Sequence, residues 1–103
     1  MAWQKVAKLT DVKDGHGISV VAPGRKKPIA VFCCNGQFFA LADECSHAYA
    51  PLSESDVENF IVTCRWHGAQ FDVRSGKGIG TLAYADVRSF PVRIEDGSIE
   101  VEV

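Results

Sequence analysis

Four residues that can bind metal, Cys45, His47, Cys64 and His67, fall in two short segments, C-S-H and C-R-W-H, whose cysteines stand nineteen residues apart. Each segment supplies one thiol and one imidazole. A site in which one iron or zinc ion takes all four side chains does not need its halves to be alike. A two-iron cluster does, because two Cys must converge on one iron and two His on the other. Two facing loops that each give one ligand of each kind complete both irons at once. The pattern therefore points to one [2Fe–2S] cluster, with Cys45 and Cys64 on one iron and His47 and His67 on the other. The alternative is a structural zinc site. Zinc fingers group like ligands, Cys with Cys and His with His, which is not the order here, and a zinc domain would be colourless and free of acid-labile sulfide.

The ligand chemistry sets an expectation for redox behaviour. With two ferric ions, two sulfides, two thiolates and two neutral imidazoles, the formal charges cancel in the oxidised state. An all-cysteine cluster would carry two more negative charges, so the mixed set resists an added electron less and its potential is higher. The electron is expected mainly on the iron held by His47 and His67, with the imidazole edges as its exit. Gly68, lacking a Cβ, is expected to let backbone N–H groups approach the sulfides.

The neighbouring residues bring a family into view. The chain reads C-S-H-A-Y-A-P-L-S-E from Cys45 to Glu54 and C-R-W-H-G-A-Q-F-D-V-R-S-G from Cys64 to Gly76. This closely resembles the Rieske motif pair, C-x-H and C-x-x-H-G-x-x-F-D. In length and layout the whole chain resembles the small Rieske-type ferredoxins of bacterial aromatic-ring dioxygenase systems. The segment Ser89 to Val92, S-F-P-V, looks like the proline loop that closes over the cluster in that family. Arg65 is a departure, since the family usually has Pro there. Arg relaxes the backbone restriction that proline imposes and adds a positive charge beside the cluster.

What the resemblance implies is an all-β fold, a Rieske-like antiparallel β-sandwich with a cluster-binding subdomain inserted. The chain would be a single domain, residues 1–103, with a base of 1–42 and 81–103 and the insert at 43–80. Its function would be electron transfer from a flavin-dependent ferredoxin reductase to a terminal oxygenase, with the rim of His47, Trp66, His67 and Pro91 as docking surface. It would be a carrier and not an enzyme: oxygen activation by non-haem iron needs two His and a carboxylate on a separate iron, and only His16 remains uncommitted. The alternative is the small Rieske-like subunit of a larger redox enzyme such as nitrite reductase. High-potential Rieske proteins of respiratory complexes join their ligand loops by a disulfide and place Ser and Tyr hydroxyls near the cluster. The matching positions here are Ala50 and Trp66 for the disulfide and Ala69 and Phe71 for the hydroxyls, so a potential of roughly −150 mV is expected. Arg65 pushes the other way, but solvent screening makes its shift smaller.

The elements that must position these loops read as short strands. Residues 28–43 run I-A-V-F-C-C, Asn35-Gly36, Q-F-F-A-L-A, a hairpin with the signal of a type I′ turn. Apolar runs at 17–22, 60–63, 90–94 and 99–103 continue the pattern, with Glu95-Asp96-Gly97 turning between the last two. No window shows a helical period over three turns, although residues 9–14 fit one helical turn.

Composition limits the alternatives. The 103 residues, 47% apolar, suit one small domain. A net charge of −2 indicates no basic face for nucleic acid. No stretch approaches transmembrane length, and residues 1–10 lack the apolar run of a signal peptide. A soluble, cytoplasmic monomer is expected. Cys33 and Cys34 are adjacent, where a disulfide would be strained, and read as small buried hydrophobes.

Other residues carry plainer expectations. Trp66 and Tyr49 shape the rim or shield the cluster, Phe71 is core, and Asp72 fixes a turn. His16 is solvent-exposed, and Arg25-Lys26-Lys27 is a solvated hairpin tip. R-S-G-K-G-I-G, residues 74–80, lacks the order of a phosphate loop. Glu44, Glu54, Asp56 and Glu58 form an acidic face, either merely solvated or a docking patch for a basic reductase.

Overall fold

The computed structural model describes residues 2–43, 51–65, 68–80 and 85–103. The chain runs through β1 (Trp3–Lys8), β2 (Gly17–Val20), β3 (Ile29–Cys34) and β4 (Gln37–Ala42). The short strands β5 (Val57–Glu58), β6 (Ile61–Thr63), β7 (Gln70–Asp72) and β8 (Gly78–Ile79) follow. It closes with β9 (Ser89–Phe90), β10 (Val92–Glu95) and β11 (Ser98–Glu102). The described helical structure consists of two 3-10 turns, Leu9–Asp11 and Leu52–Glu54. None of it is long and apolar enough to cross a membrane.

Three antiparallel sheets result, ordered β1-β11-β10, β2-β3-β4-β9 and β5-β6-β7-β8. Strand β3 shows why they stack. All six of its residues are buried, and its side chains alternate between two cores. Ile29, Val31 and Cys33 pack with Ala40, Phe90, Ile99 and Val101 against the first sheet. Ala30, Phe32 and Cys34 pack with Leu41, Leu52, Val57, Val62, Cys64 and Phe71 against the third. A strand covered on both faces has no need of polar residues, which is why I-A-V-F-C-C reads as a continuous apolar run. The all-β antiparallel sandwich expected from the sequence is the observed fold.

The turns follow local chemistry. Cys34 pairs with Gln37 across Asn35-Gly36, and Asn35 takes φ +53, as the type I′ turn demands. Asp96, at φ +50, does the same between Glu95 and Ser98. The helical turn expected at 9–14 is the 3-10 turn Leu9–Asp11, where Asp11 Oδ2 accepts from the Lys8 N–H at 2.9 Å.

The segment S-F-P-V differs from expectation. Ser89 and Phe90 pair with Leu41 and Ala40, Val92 pairs with Val101, and the Pro91 carbonyl accepts from the Glu102 N–H at 3.0 Å. These residues are thus a crossover between the first and second sheets, held on both sides by strand partners, and not a free loop. Pro suits that place because the chain leaves one ladder there and enters another. Pro91 itself is exposed at this crossover.

Arg25 is a second correction. Lys26 and Lys27 are exposed, but Arg25 is half-buried with its guanidinium 4.9 Å from the Phe90 ring centroid, and Arg88 lies 4.8 Å from the same ring. The cation–π attraction, together with burial of the apolar stem, draws Arg25 out of the solvated tip.

Candidate metal centre

Of the four proposed ligands, Cys64 lies among the described residues; Cys45, His47 and His67 lie outside them, as do Glu44, Tyr49, Ala50 and Trp66. Cys64 directly follows β6, and Ala69 directly precedes β7. The ladder Ile61↔Asp72, Val62↔Phe71, Thr63↔Gln70 is extended by the Cys64 N–H, which donates to the Ala69 carbonyl at 2.7 Å, and by the Gly68 N–H, which donates to the Cys64 carbonyl at 2.9 Å. Cys64 and Ala69 therefore carry the pairing of β6 and β7 one step beyond the strands. Gly68 has φ +73, a conformation glycine adopts at no steric cost. Its own N–H is committed to the Cys64 carbonyl.

Alternation along β6 decides which way the ligand faces. Val62 and Cys64 are buried while Thr63 and Arg65 are exposed, so Cys64 points into the core beside Ala69, Phe71 and Leu52, and Arg65 points to solvent. Its sulfur forms no disulfide. A free thiol, 1% exposed, at the end of β6, where hydrogen bonds fix the backbone, is what a thiolate ligand to a shielded cluster requires. The described part of the donor set fits the group.

The other chemistry-bearing residues are placed as follows. Phe71 is fully buried under the hairpin. Asp72 fixes the following turn: its Oδ1 accepts from the Arg74 N–H at 2.9 Å and Nε at 3.0 Å, and its Oδ2 accepts from Nη2 at 2.9 Å. His16 is exposed and pairs with Asp56 at 3.0 Å. Glu54 and Glu58 are exposed as well. Cys33 and Cys34 are buried and free, and they project into different cores. Cys33 Sγ donates to Asp14 Oδ1 at 3.7 Å; burial, then the Asp14 charge, pushes its thiol above the ordinary value, which makes it unreactive.

The Arg74 side-chain hydrogen bonds, helped by the Arg74 backbone N–H, hold the Asp72 carboxyl below its usual range although partial burial opposes this. The stabilisation is therefore complete above the unfolded value of about 3.9 and is lost as pH falls through the lower folded value. Asp72→Asn is expected to cost about 0.5–1 kcal/mol at pH 7, given the exposed Arg74. The gap to wild type should close in acid below about pH 4, as denaturant midpoints measured across pH would record.

Two residues escaped the reading of the sequence. Asp43, just after β4, accepts from the Ser53 N–H at 2.7 Å and from Ser53 Oγ–H at 2.7 Å, tying together the residues on either side of the segment that contains Cys45 and His47. Gly76 accepts from the Val87 N–H at 2.8 Å and approaches the Val87 carbonyl so closely that a Cβ would lie 2.0 Å from its oxygen. An acidic residue closing an apolar strand was the available signal for Asp43. Gly76 lay inside the glycine-rich stretch 74–80, where no spacing marks one glycine from another.

The three antiparallel sheets, with a buried, free thiol at the end of β6, make a small all-β domain. The chain belongs to the Rieske family: the Rieske [2Fe-2S] domain model matches residues 2–91, and the cofactor is one [2Fe–2S] cluster. It is 44% identical to the anthranilate 1,2-dioxygenase ferredoxin subunit of Burkholderia cepacia over 98% of this chain and 92% of that one. Among solved structures it matches a ferredoxin from a complex of reduced oxygenase and oxidized ferredoxin in carbazole 1,9a-dioxygenase. That match has TM-score 0.87 and 30% identity, and covers 96% of this chain and 91% of that one. A chain described as an NADH-dependent nitrite reductase small subunit from Mycobacterium tuberculosis has TM-score 0.87 over 99% of this chain and 96% of that one. At 19% identity it shares the fold alone.

Proposed function

We propose that this chain is a soluble, monomeric, cytoplasmic electron carrier that takes single electrons from a flavin-dependent reductase and delivers them to a terminal ring-hydroxylating oxygenase. The observation that carries this reading is the near full-length match to the ferredoxin subunit of a dioxygenase system, joined by the match to a ferredoxin in complex with its oxygenase. Nothing comparable favours the nitrite reductase reading, which rests on fold. The chain is an electron-transfer component and not the oxygenase. It is proposed as one domain with a base of 1–42 and 81–103 and an inserted cluster-binding part at 43–80.

Within that part, Cys45 and Cys64 are proposed to hold one iron and His47 and His67 the other. When bound, the cluster supplies a centre that accepts and releases one electron. The chain's own residues supply the setting. The Cys64–Ala69 hydrogen bond fixes the thiol's backbone, while Phe71, Leu52 and Ala69, each fully buried, keep water from it. Arg65 is exposed next to the ligand and offers a charge to whatever docks there.

Purified chain added to a flavin reductase and a ring-hydroxylating oxygenase is expected to restore hydroxylated product from NADH, with the protein running as a red-brown monomer. Co-purification with a large redox subunit, or an intact cluster that transfers nothing to the oxygenase, would overturn the assignment.

Ala69 and Phe71 bear on the potential. Both are fully buried, and neither side chain has a hydroxyl to donate to sulfur, a donation that stabilises the more negative reduced state. Ala69→Ser and Phe71→Tyr are each expected to raise the potential above the wild-type value of roughly −150 mV. Protein-film voltammetry at neutral pH reads the shift, and a wild-type value well above zero would contradict the carrier role.

A further inference from the structure

Asp43 stands two residues before Cys45, and Ser53 lies in the 3-10 turn beyond the first ligand loop. Ten positions apart, they are joined by the two 2.7 Å hydrogen bonds from the Ser53 N–H and Oγ–H, one to each carboxylate oxygen. Both residues are buried, with Asp43 7% and Ser53 8% exposed. The Asp43 N–H also donates to the Pro28 carbonyl at 3.2 Å, which anchors the carboxylate's own backbone to the start of β3. Leu52, adjacent to Ser53, is fully buried in the core that holds Cys64.

A carboxylate is costly to bury unless its oxygens are occupied and its charge is answered. Here the oxygens are occupied, yet among the described residues no ion pair involves Asp43. An amide could close the same neck with less desolvation. What the carboxylate adds is a two-pronged acceptor that takes both Ser53 donors together, and a fixed negative charge whose Cα lies within about 7 Å of that of Cys45 by chain length alone.

We propose that Asp43 is a positioning residue for the metal centre: it clamps the neck of the loop bearing Cys45 and His47 through Ser53, and its buried charge opposes reduction. This rests on the ligand assignment above. A loop whose ends are already tied loses less freedom when its ligands close on metal, so the clamp favours retention of the cluster. The charge acts separately, because a negative group in a poorly screened position makes it harder to add an electron nearby.

The two effects separate by substitution. Ser53→Ala removes one of the two bonds and keeps the charge; Asp43→Asn keeps the side chain's shape and removes the charge; Asp43→Ala removes both. Iron and acid-labile sulfide, the rate of iron loss to a chelator, and the potential by voltammetry are measured on each holoprotein and on wild type. Ser53→Ala is expected to lose iron about tenfold faster, the weight of one hydrogen bond to a charged group, with the potential unchanged. Asp43→Asn is expected to raise the potential, which a purely structural role would not do. If Asp43→Ala fails to fold, the other two variants still decide. Wild-type loss rates in Ser53→Ala and a wild-type potential in Asp43→Asn, with full iron in the parent, would overturn the proposal alone. A parent that takes up no iron and sulfide on reconstitution would overturn the ligand assignment and the proposal with it.

Discussion

His67→Ala and His47→Ala are expected to give protein without iron, without acid-labile sulfide and without visible absorbance, whereas His16→Ala keeps all three. The first two residues sit in the ligand-spaced segments; His16 is exposed and engaged with Asp56 at 3.0 Å. Either imidazole, if lost, would leave the proposed cluster one ligand short of the two thiolates and two imidazoles that would hold it. Cys64→Ala should behave as the His variants do. Its removal also leaves a void beside Phe71 and Leu52, so part of the loss would show in the apo-protein's stability. Iron content, sulfide content and the visible spectrum of the variants check the assignment, and a full cluster in His67→Ala would refute it.

Gly76→Ala is expected to cost about 3 kcal/mol or more, a large share of what a domain of this size has. Gly76 has φ +79, where a side chain is strained, and the added Cβ would lie 2.0 Å from the Val87 carbonyl oxygen. That oxygen belongs to backbone held by the hydrogen bond from the Val87 N–H to Gly76, so it cannot step aside without breaking the contact that closes residues 77–86. Gly36→Ala is the control. It has a similar φ of +76 but nothing within 4 Å, so only the conformational strain of about 1–2 kcal/mol applies. Thermal unfolding should separate the two variants by several degrees, about 4–8 °C for each kcal/mol of difference.

The parts of this molecule that could be read from the sequence are those governed by neighbours in the chain. Asn35-Gly36 between two apolar runs specifies β3 and β4, and Asp96-Gly97 does the same for β10 and β11, because a two-residue turn carries its own backbone requirement. The Rieske family was legible for a related reason: its motif pair is a matter of spacing within two short segments. Strand β1 was not, because its register shifts between Lys5 and Ala7 and the bulge breaks the alternation that marks a strand. Strands β5 and β8 have two residues each, too few for any period to register. Residues 90–94 read as one strand, yet Pro91 divides them between two sheets, a choice made by distant partners. Asp43 with Ser53, and Gly76 with Val87, are contacts across ten and eleven positions; their meaning exists only once the chain has folded back.

The division of β3 between two cores bears on how the protein matures. Among the described residues, the core of Ile29, Val31, Cys33, Phe90, Ile99 and Val101 contains no proposed ligand, whereas the opposite one contains Cys64. Unlike a zinc finger, which has no fold before its metal arrives, a newly made chain can close the first of these and keep it closed while it waits. Iron and sulfide are then delivered to a chain already half built, and only the second core has to settle around them. In the apo-protein, amide hydrogens of Ile29, Ile99 and Val101 should exchange slowly while those of Val62, Cys64 and Phe71 exchange fast. Starvation for iron would accordingly leave the cell a reservoir of partly assembled carrier, ready to be filled, in place of an unfolded chain to be destroyed.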